Sequence, residues 1–278
     1  MARPRKRFGQ HFLEPAWVTK LVNAIGARPE EAFVEIGPGR GAITRPLSAR
    51  VNRMLAIEVD RDLAAALVLE ALPGVTVLEA DVLDVDLAAA ITGWQGAPLD
   101  GAHPVRIVGN LPYNISSPIL FRLLALAAGT GGVTDATLML QREVAERLVA
   151  SPGTKEYGVL TIQTALHAEV TRLLALPPGA FRPPPKVSSA VVRLAFRPPP
   201  VPVTDEAVLV GLVRSVFTQR RKTLSNALKP FAEARGWNAA EVLAAAGLDA
   251  RRRPETLQLV ELARLADVFA STRPTAVL

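Results

Sequence analysis

Between residues 33 and 197, short runs of apolar and β-branched residues alternate with longer stretches whose apolar positions recur every three or four residues. The short runs predict strands over 33–36, 54–58, 75–79, 105–108, 136–140, 170–176 and 190–196. The longer stretches predict helices over 46–49, 63–72, 119–128 and 143–150. This alternation predicts an α/β fold: an open, largely parallel, Rossmann-like sheet with helices on both faces. In such sheets ligands sit beyond the carboxyl ends of the strands, so the residues just after each strand carry the most weight.

The pattern breaks at Arg197-Pro-Pro-Pro-Val-Pro-Val203, which neither continues a strand nor readily starts a helix and reads as a linker. Beyond it Leu209, Leu212, Val213, Val216 and Phe217 recur at helical spacing, with Thr204 or Asp205 available as N-cap. Further helices are predicted over 241–246 and 257–270. The expected division is a catalytic domain over 1–198, with a basic N-terminal tail, and a small α-helical domain over 199–278.

Composition narrows the class. Apolar residues make up 49% and charged residues 21%, enough for a sizeable core. Cysteine is absent, which removes disulfides, thiolate metal sites and a cysteine nucleophile. His11, His103 and His167 lie far apart, giving no basis for a metal site. The basic N-terminus is not followed by an apolar signal-peptide core, and the most apolar stretch, 119–133, is interrupted by Arg122 and three glycines. A cytoplasmic protein without membrane contact is expected. Net charge is +6, and Arg3, Arg5, Lys6 and Arg7 supply four of it. Residues 199–278 hold 11 basic and 8 acidic side chains, so both ends are basic and the middle is near neutral. That distribution suits a polyanion gripped around a neutral chemical centre, though it also describes an ordinary solvated surface.

Candidate chemistry falls at the strand ends. The first strand leads into Glu35-Ile36-Gly37-Pro38-Gly39-Arg40-Gly41-Ala42, a glycine-rich turn that lets backbone approach a ligand. The same spacing satisfies a loose dinucleotide fingerprint. The second strand ends in Glu58-Val59-Asp60 and the third in Glu79-Ala80-Asp81, acceptors placed for ribose hydroxyls and an adenine amino group. These features predict a nucleoside cofactor without saying which.

The fourth strand is followed by Asn110-Leu111-Pro112-Tyr113-Asn114-Ile115-Ser116. Transfer of a methyl group to the exocyclic N6 of adenine needs such a set, because that nitrogen's lone pair is delocalised into the ring. The Asn110 side-chain oxygen and the Leu111 carbonyl, where Pro112 cannot extend regular pairing, would accept the two N–H bonds and draw the nitrogen toward tetrahedral geometry. Tyr113 offers a flat face to a flipped base, worth about 1–3 kcal/mol. The bland alternative is a turn with a packing tyrosine. Phe181, in a proline-stiffened loop, would either clamp the base opposite Tyr113 or anchor the loop in the core. Arg220, Arg221 and Lys222 cannot all face a core and point to solvent or phosphate.

Taken in order, Arg5-Lys-Arg-Phe-Gly-Gln-His-Phe-Leu13, Glu35-Ile-Gly-Pro-Gly-Arg-Gly41, Asn110-Leu-Pro-Tyr-Asn-Ile-Ser-Ser-Pro118, Gln141-Arg-Glu-Val-Ala-Glu-Arg147, Tyr157-Gly158, Pro178-Gly-Ala-Phe-Arg-Pro-Pro-Pro-Lys-Val-Ser188 and Phe217-Thr-Gln-Arg-Arg-Lys-Thr-Leu224 resemble the small-subunit (16S) rRNA adenine N6,N6-dimethyltransferases of the KsgA type. The resemblance implies a class I methyltransferase sheet, S-adenosylmethionine as cofactor, and dimethylation of two adjacent adenosines in the 3′-terminal hairpin of small-subunit rRNA. It implies that His11 and Leu13 touch the methionine end of the cofactor, Gly37 and Gly39 its backbone turn, Glu58 its ribose, Asp81 and Val82 its adenine, and Asn110 both cofactor and target. Many relatives carry Asn where this chain has His11. RNA contacts are implied for Arg5, Lys6, Arg7, Arg220, Arg221 and Lys222. The implied partner is the immature 30S subunit, met by a monomer without metal. Three rivals are a large-subunit rRNA methyltransferase of the macrolide-resistance type, a non-catalytic ribosome-assembly factor on the same fold, and a nucleotide-dependent dehydrogenase. The dehydrogenase has no use for Asn-Leu-Pro-Tyr after the fourth strand.

Overall fold

All seven predicted strands form in the computed structural model, which describes residues 12–271. The chain divides into two units, one built from residues up to Ala145 and from Ala168–Arg197, the other from Glu146–His167 and from Pro198 onward. In chain order the elements to the end of the first strand series are β1 (Phe12–Leu13), α1 (Pro15–Ile25), β2 (Ala32–Ile36), α2 (Thr44–Ser48), β3 (Arg53–Glu58), α3 (Arg61–Leu69), β4 (Val75–Glu79), α4 (Leu87–Gln95), β5 (Val105–Asn110), α5 (Ser116–Thr130) and β6 (Val133–Gln141). Next come α6 (Arg142–Leu148), α7 (Val159–His167), β7 (Ala168–Leu176), β8 (Phe181–Arg182) and β9 (Ser189–Phe196).

The large sheet runs β4-β3-β2-β5-β6-β9-β7. Its first four pairings are parallel, and β9 lies antiparallel to both β6 and β7. The chain walks outward from β2 to β4, then returns to add β5 on the other side of β2. That reversal opens a crevice at the carboxyl ends of β2 and β5. Burial follows the parallel pattern: Phe33, Val34, Ile36, Met54, Leu55, Ile57, Ile107 and Val108 are all sequestered, because helices cover both faces. Helix α3 starts two residues before its predicted limit, since the Asp60 carboxylate accepts the N–H groups of Asp62 and Leu63. Arg106 ties the lower end of the sheet together, with ion pairs to Glu31 at 2.9 Å and Asp135 at 3.0 Å.

A separate two-stranded ribbon pairs β1 with β8, Leu13 opposite Phe181. Phe181 is fully buried there, in a cluster with Leu13, Val18, Leu21 and Met139. Of the two roles expected for it, the core anchor is the one this packing displays.

The second unit contains α7, α8 (Glu206–Phe217), α9 (Leu224–Glu233), α10 (Ala239–Ala245) and α11 (Leu259–Ala270). Asp205, not Thr204, caps α8, accepting from the Val208 N–H. The helix predicted over 257–270 starts at Leu259 instead, preceded by a 3₁₀ turn, Pro254–Thr256, and α11 opens with a capping box of Gln258 and Glu261. Residues 146–167 were expected in the catalytic domain but pack into this unit. Tyr157, Ile162 and Leu166 join Leu212, Val216, Leu228 and Leu265 in one core, and the Tyr157 hydroxyl donates to the Leu257 carbonyl at 2.7 Å. Helix α7 is buried nearly all round, including Thr161 and Thr164, so no amphipathic stripe marked it in the sequence.

Candidate active site and cofactor cleft

The crevice is a cleft of about 1260 Å³, mouth included, walled by the segments that follow β2, β3, β4 and β5. After β2, Gly37 and Gly39 take φ of +66° and +57°, in the left-handed region that a side chain would disfavour. The Gly37 N–H donates to the Ile57 carbonyl at 2.9 Å and the Gly39 N–H to Glu58 Oε2 at 2.9 Å. Glu58 Oε1 accepts from the Asp60 N–H, also at 2.9 Å. The Glu58 carboxylate therefore ties the glycine loop to the end of β3, and two of its roughly four acceptor positions remain for a ligand. Asp81 lies in the wall after β4 and accepts the Leu83 N–H at 2.8 Å. Arg122 of α5 grips the Leu83 and Val85 carbonyls behind it. Val82 adds a buried apolar surface beside Asp81.

Glu35 also lines this cleft, and the sequence-based site set omits it. It is 1% exposed and takes a 2.7 Å hydrogen bond from the Thr44 hydroxyl. Burial pushes its carboxyl up to about 8; the Thr44 bond opposes the shift and the neighbouring Glu58 charge adds to it. A carboxylate inside the apolar run Phe33-Val34-Glu35-Ile36 was the available signal.

On the other side of the switch point, Asn110 ends β5 in register with Met139 of β6. Behind it the two strand ends crowd together: a Cβ on Gly109 would lie 2.8 Å from the Ile36 carbonyl oxygen, so only glycine fits. The Leu111 N–H donates to the Met139 carbonyl at 3.2 Å, and the turn closes with Ile115 N–H to the Pro112 carbonyl at 3.2 Å. Asn110, Leu111, Pro112 and Tyr113 all border the cleft that holds Glu58 and Asp81. Tyr113 is half-buried, and burial holds its phenol above the ordinary tyrosine range, although a hydrogen bond with Ser189 works the other way.

Of the expected cofactor residues, Leu13, Gly37, Gly39, Glu58, Asp81, Val82 and Asn110 converge on this one cleft. Phe181 does not line it. His11, Arg5, Lys6 and Arg7 lie outside the described residues. Among the cations expected to meet RNA, Arg221 and Lys222 are exposed on the second unit. Arg220 is not placed as expected: it donates to Glu255 at 2.8 Å and to the Lys155 and Thr154 carbonyls at 2.8 and 3.3 Å. Its guanidinium fork is spent on fixing the 151–155 loop. Among the described residues no cluster of His, Cys, Asp or Glu could hold a metal ion, and no helix is long and apolar enough to cross a membrane.

A family model described as Ribosomal RNA adenine dimethylase matches residues 1–265. Ribosomal RNA small subunit methyltransferase A of Alcanivorax borkumensis is 44% identical over 277 residues, 99% of this chain and 92% of the relative. The protein of the same name from Xanthomonas euvesicatoria is 45% identical over 271 residues, 96% and 97% of the two chains. Among solved structures, a dimethyladenosine transferase from Plasmodium falciparum superposes with a TM-score of 0.73 at 24% identity, covering 92% of this chain and 96% of the other. The 23S rRNA methyltransferase ErmE gives 0.62 at 25% identity, covering 94% and 100%.

Proposed function

This chain belongs to the ribosomal RNA adenine dimethylase family, and we propose that it dimethylates N6 of two adjacent adenosines in the 3′-terminal hairpin of small-subunit rRNA, acting in the cytoplasm on the immature 30S subunit. Its cofactor is S-adenosylmethionine. The donor set fits that molecule: a glycine loop for close backbone approach, the spare acceptor positions of Glu58 for ribose hydroxyls, and Asp81 beside Val82 for an amino-bearing ring. When bound, S-adenosylmethionine supplies an electrophilic methyl group on a positively charged sulfur that leaves readily.

The chain's own residues then act on the amine. In the first transfer the Asn110 side-chain oxygen accepts one N–H of the target and the Leu111 carbonyl the other, which concentrates the nitrogen lone pair; in the second, the single remaining N–H has one of these acceptors. Each new N–CH3 bond forms as the methyl–sulfur bond breaks, and the displaced N–H proton passes to solvent. The Tyr113 ring stacks on the base. Position and hydrogen bonding carry the step without a strong general base. Exposed cations on the helical unit, Arg221 and Lys222, would hold phosphates and fix register while the cleft selects the base.

The observation that supports this most is the arrival of Asn110-Leu-Pro-Tyr at the same cleft as Glu58 and Asp81. The large-subunit alternative is less well supported, since relatives at 44–45% identity bear the small-subunit name and the 23S enzyme shares 25%. The test is single-turnover methylation of small-subunit particles by Asn110→Ala at saturating cofactor. A loss of ~10²–10³ in rate is expected, as for removal of a donor or acceptor that acts mainly in the transition state. RNA affinity should hold. Wild-type rates, or a product methylated on another atom, would overturn the assignment.

A further inference from the structure

We propose that Ser189 is a positioning residue for the methyl-transfer step, pinning the far end of the Tyr113 ring so that the target base meets a platform already oriented. The inference rests on the stacking role given to Tyr113 above.

Ser189 opens β9 and is 2% exposed. Its backbone is locked from both sides, opposite Gln141 of β6 and Leu176 of β7. A serine so held keeps only the rotation of its hydroxymethyl group. Tyr113 lies outside the strands. It sits in the turn after β5, with its carbonyl accepting from the Ser116 hydroxyl at 3.2 Å. Its ring projects from that turn on two rotatable bonds, and its phenol oxygen lies 2.6 Å from Ser189 Oγ, near the short end for hydroxyl pairs. Burial raises the phenol above the ordinary tyrosine range, and either hydroxyl can donate to the other. The tyrosine is thus held at its backbone by one serine and at its ring tip by another, 76 residues away in sequence.

A ring held at both ends has a fixed long axis, and the in-plane preference of the phenol O–H favours one setting of the ring about it. A base arriving on it need not order the platform, and the geometry between N6 and the Asn110 oxygen is set by where the base comes to rest. Small misplacements of a reacting atom reduce rate far more than affinity. The hydroxyl therefore acts on rate through orientation, whereas a bond that only satisfied the buried Ser189 and half-buried Tyr113 oxygens would act on stability alone. Ser189 lies four residues beyond Pro185, and the Ser188 carbonyl next to it accepts the Arg142 N–H at 3.0 Å.

The experiment is a double-mutant cycle of Ser189→Ala and Tyr113→Phe, with Tyr113→Ala and Ser189→Thr alongside, read as turnover and as KM for small-subunit particles. Each hydroxyl deletion should slow single-turnover methylation roughly 3- to 10-fold, the size of one lost hydrogen bond. KM for the particles and cofactor affinity should hold. The double variant should be no slower than either single, and Ser189→Thr, which keeps the hydroxyl, should retain the rate. Wild-type rates in both single variants, or losses that multiply in the double, overturn the proposal. If Tyr113→Ala is slow while both hydroxyl variants turn over normally, stacking stands and the Ser189 role falls. A wild-type rate in Tyr113→Ala removes the stacking role itself and the positioning role with it.

Discussion

Replacing Glu35 by glutamine should make the protein's stability less sensitive to pH. The side chain is 1% exposed, meets one hydroxyl, and has its carboxyl raised from 4.5 to about 8. In the unfolded chain it ionises near the ordinary value, so between pH 4.5 and 8 the folded protein holds a proton that the unfolded one has released. Stability from this group is therefore full below about pH 4.5, falls as pH rises, and is gone above about pH 8. Each pH unit in that window is worth about 1.4 kcal/mol. Going from pH 5.5 to 8.5 crosses about 2.5 units of the window, so the wild type should lose about 3 kcal/mol that Glu35→Gln does not lose. Glutamine is nearly isosteric and neutral throughout, and its amide oxygen can still accept from Thr44. Denaturant unfolding at pH 5.5, 7 and 8.5 measures the difference, with the variant gaining on the wild type as pH rises. Parallel stability profiles would show that Glu35 is ionised in the fold at neutral pH and would refute the reasoning.

Two further perturbations test the site and the grip. Glu58→Ala should weaken S-adenosylmethionine binding by about 1.5–3 kcal/mol, the range for hydrogen bonds to a charged group, and should loosen the glycine loop because the Gly39 and Asp60 N–H groups lose their acceptor. Calorimetry with unchanged affinity would remove Glu58 from the cofactor site. Reversing the charges of Arg221 and Lys222 together should weaken RNA binding and lower the slope of log affinity against log salt, leaving cofactor affinity alone. Arg220→Ala should instead lower the stability of the helical unit by roughly 1 kcal/mol, because its partly exposed ion pair with Glu255 is structural. A flattened salt slope in Arg220→Ala would reverse that assignment.

Local signals were enough for the strands, the glycine turn, the acids at the ends of β3 and β4, and the Asn-Leu-Pro-Tyr segment after β5. Each is written in residues adjacent along the chain: an apolar run sets a buried strand, and the residue after it must reach the carboxyl edge of a parallel sheet. Tertiary packing decided what contiguous patterns do not record. Residues 146–167 join the helical unit because Tyr157 and Leu166 find their core among residues beyond 200. Phe181 goes to the interior because β8 pairs with β1, a partnership spanning most of the first unit. Arg220 becomes a structural cation only because Glu255 and the 151–155 loop come to it. Ser189 had no mark in the sequence beyond its place after a proline run, and its meeting with Tyr113 exists only in three dimensions. The sequence by itself determined which residues stand at the strand ends and hence the chemistry of the cleft, since backbone periodicity is local. Only the tertiary structure decided which side chains are free to meet a ligand, because a polar or aromatic group commits to whichever long-range partner relieves its burial first.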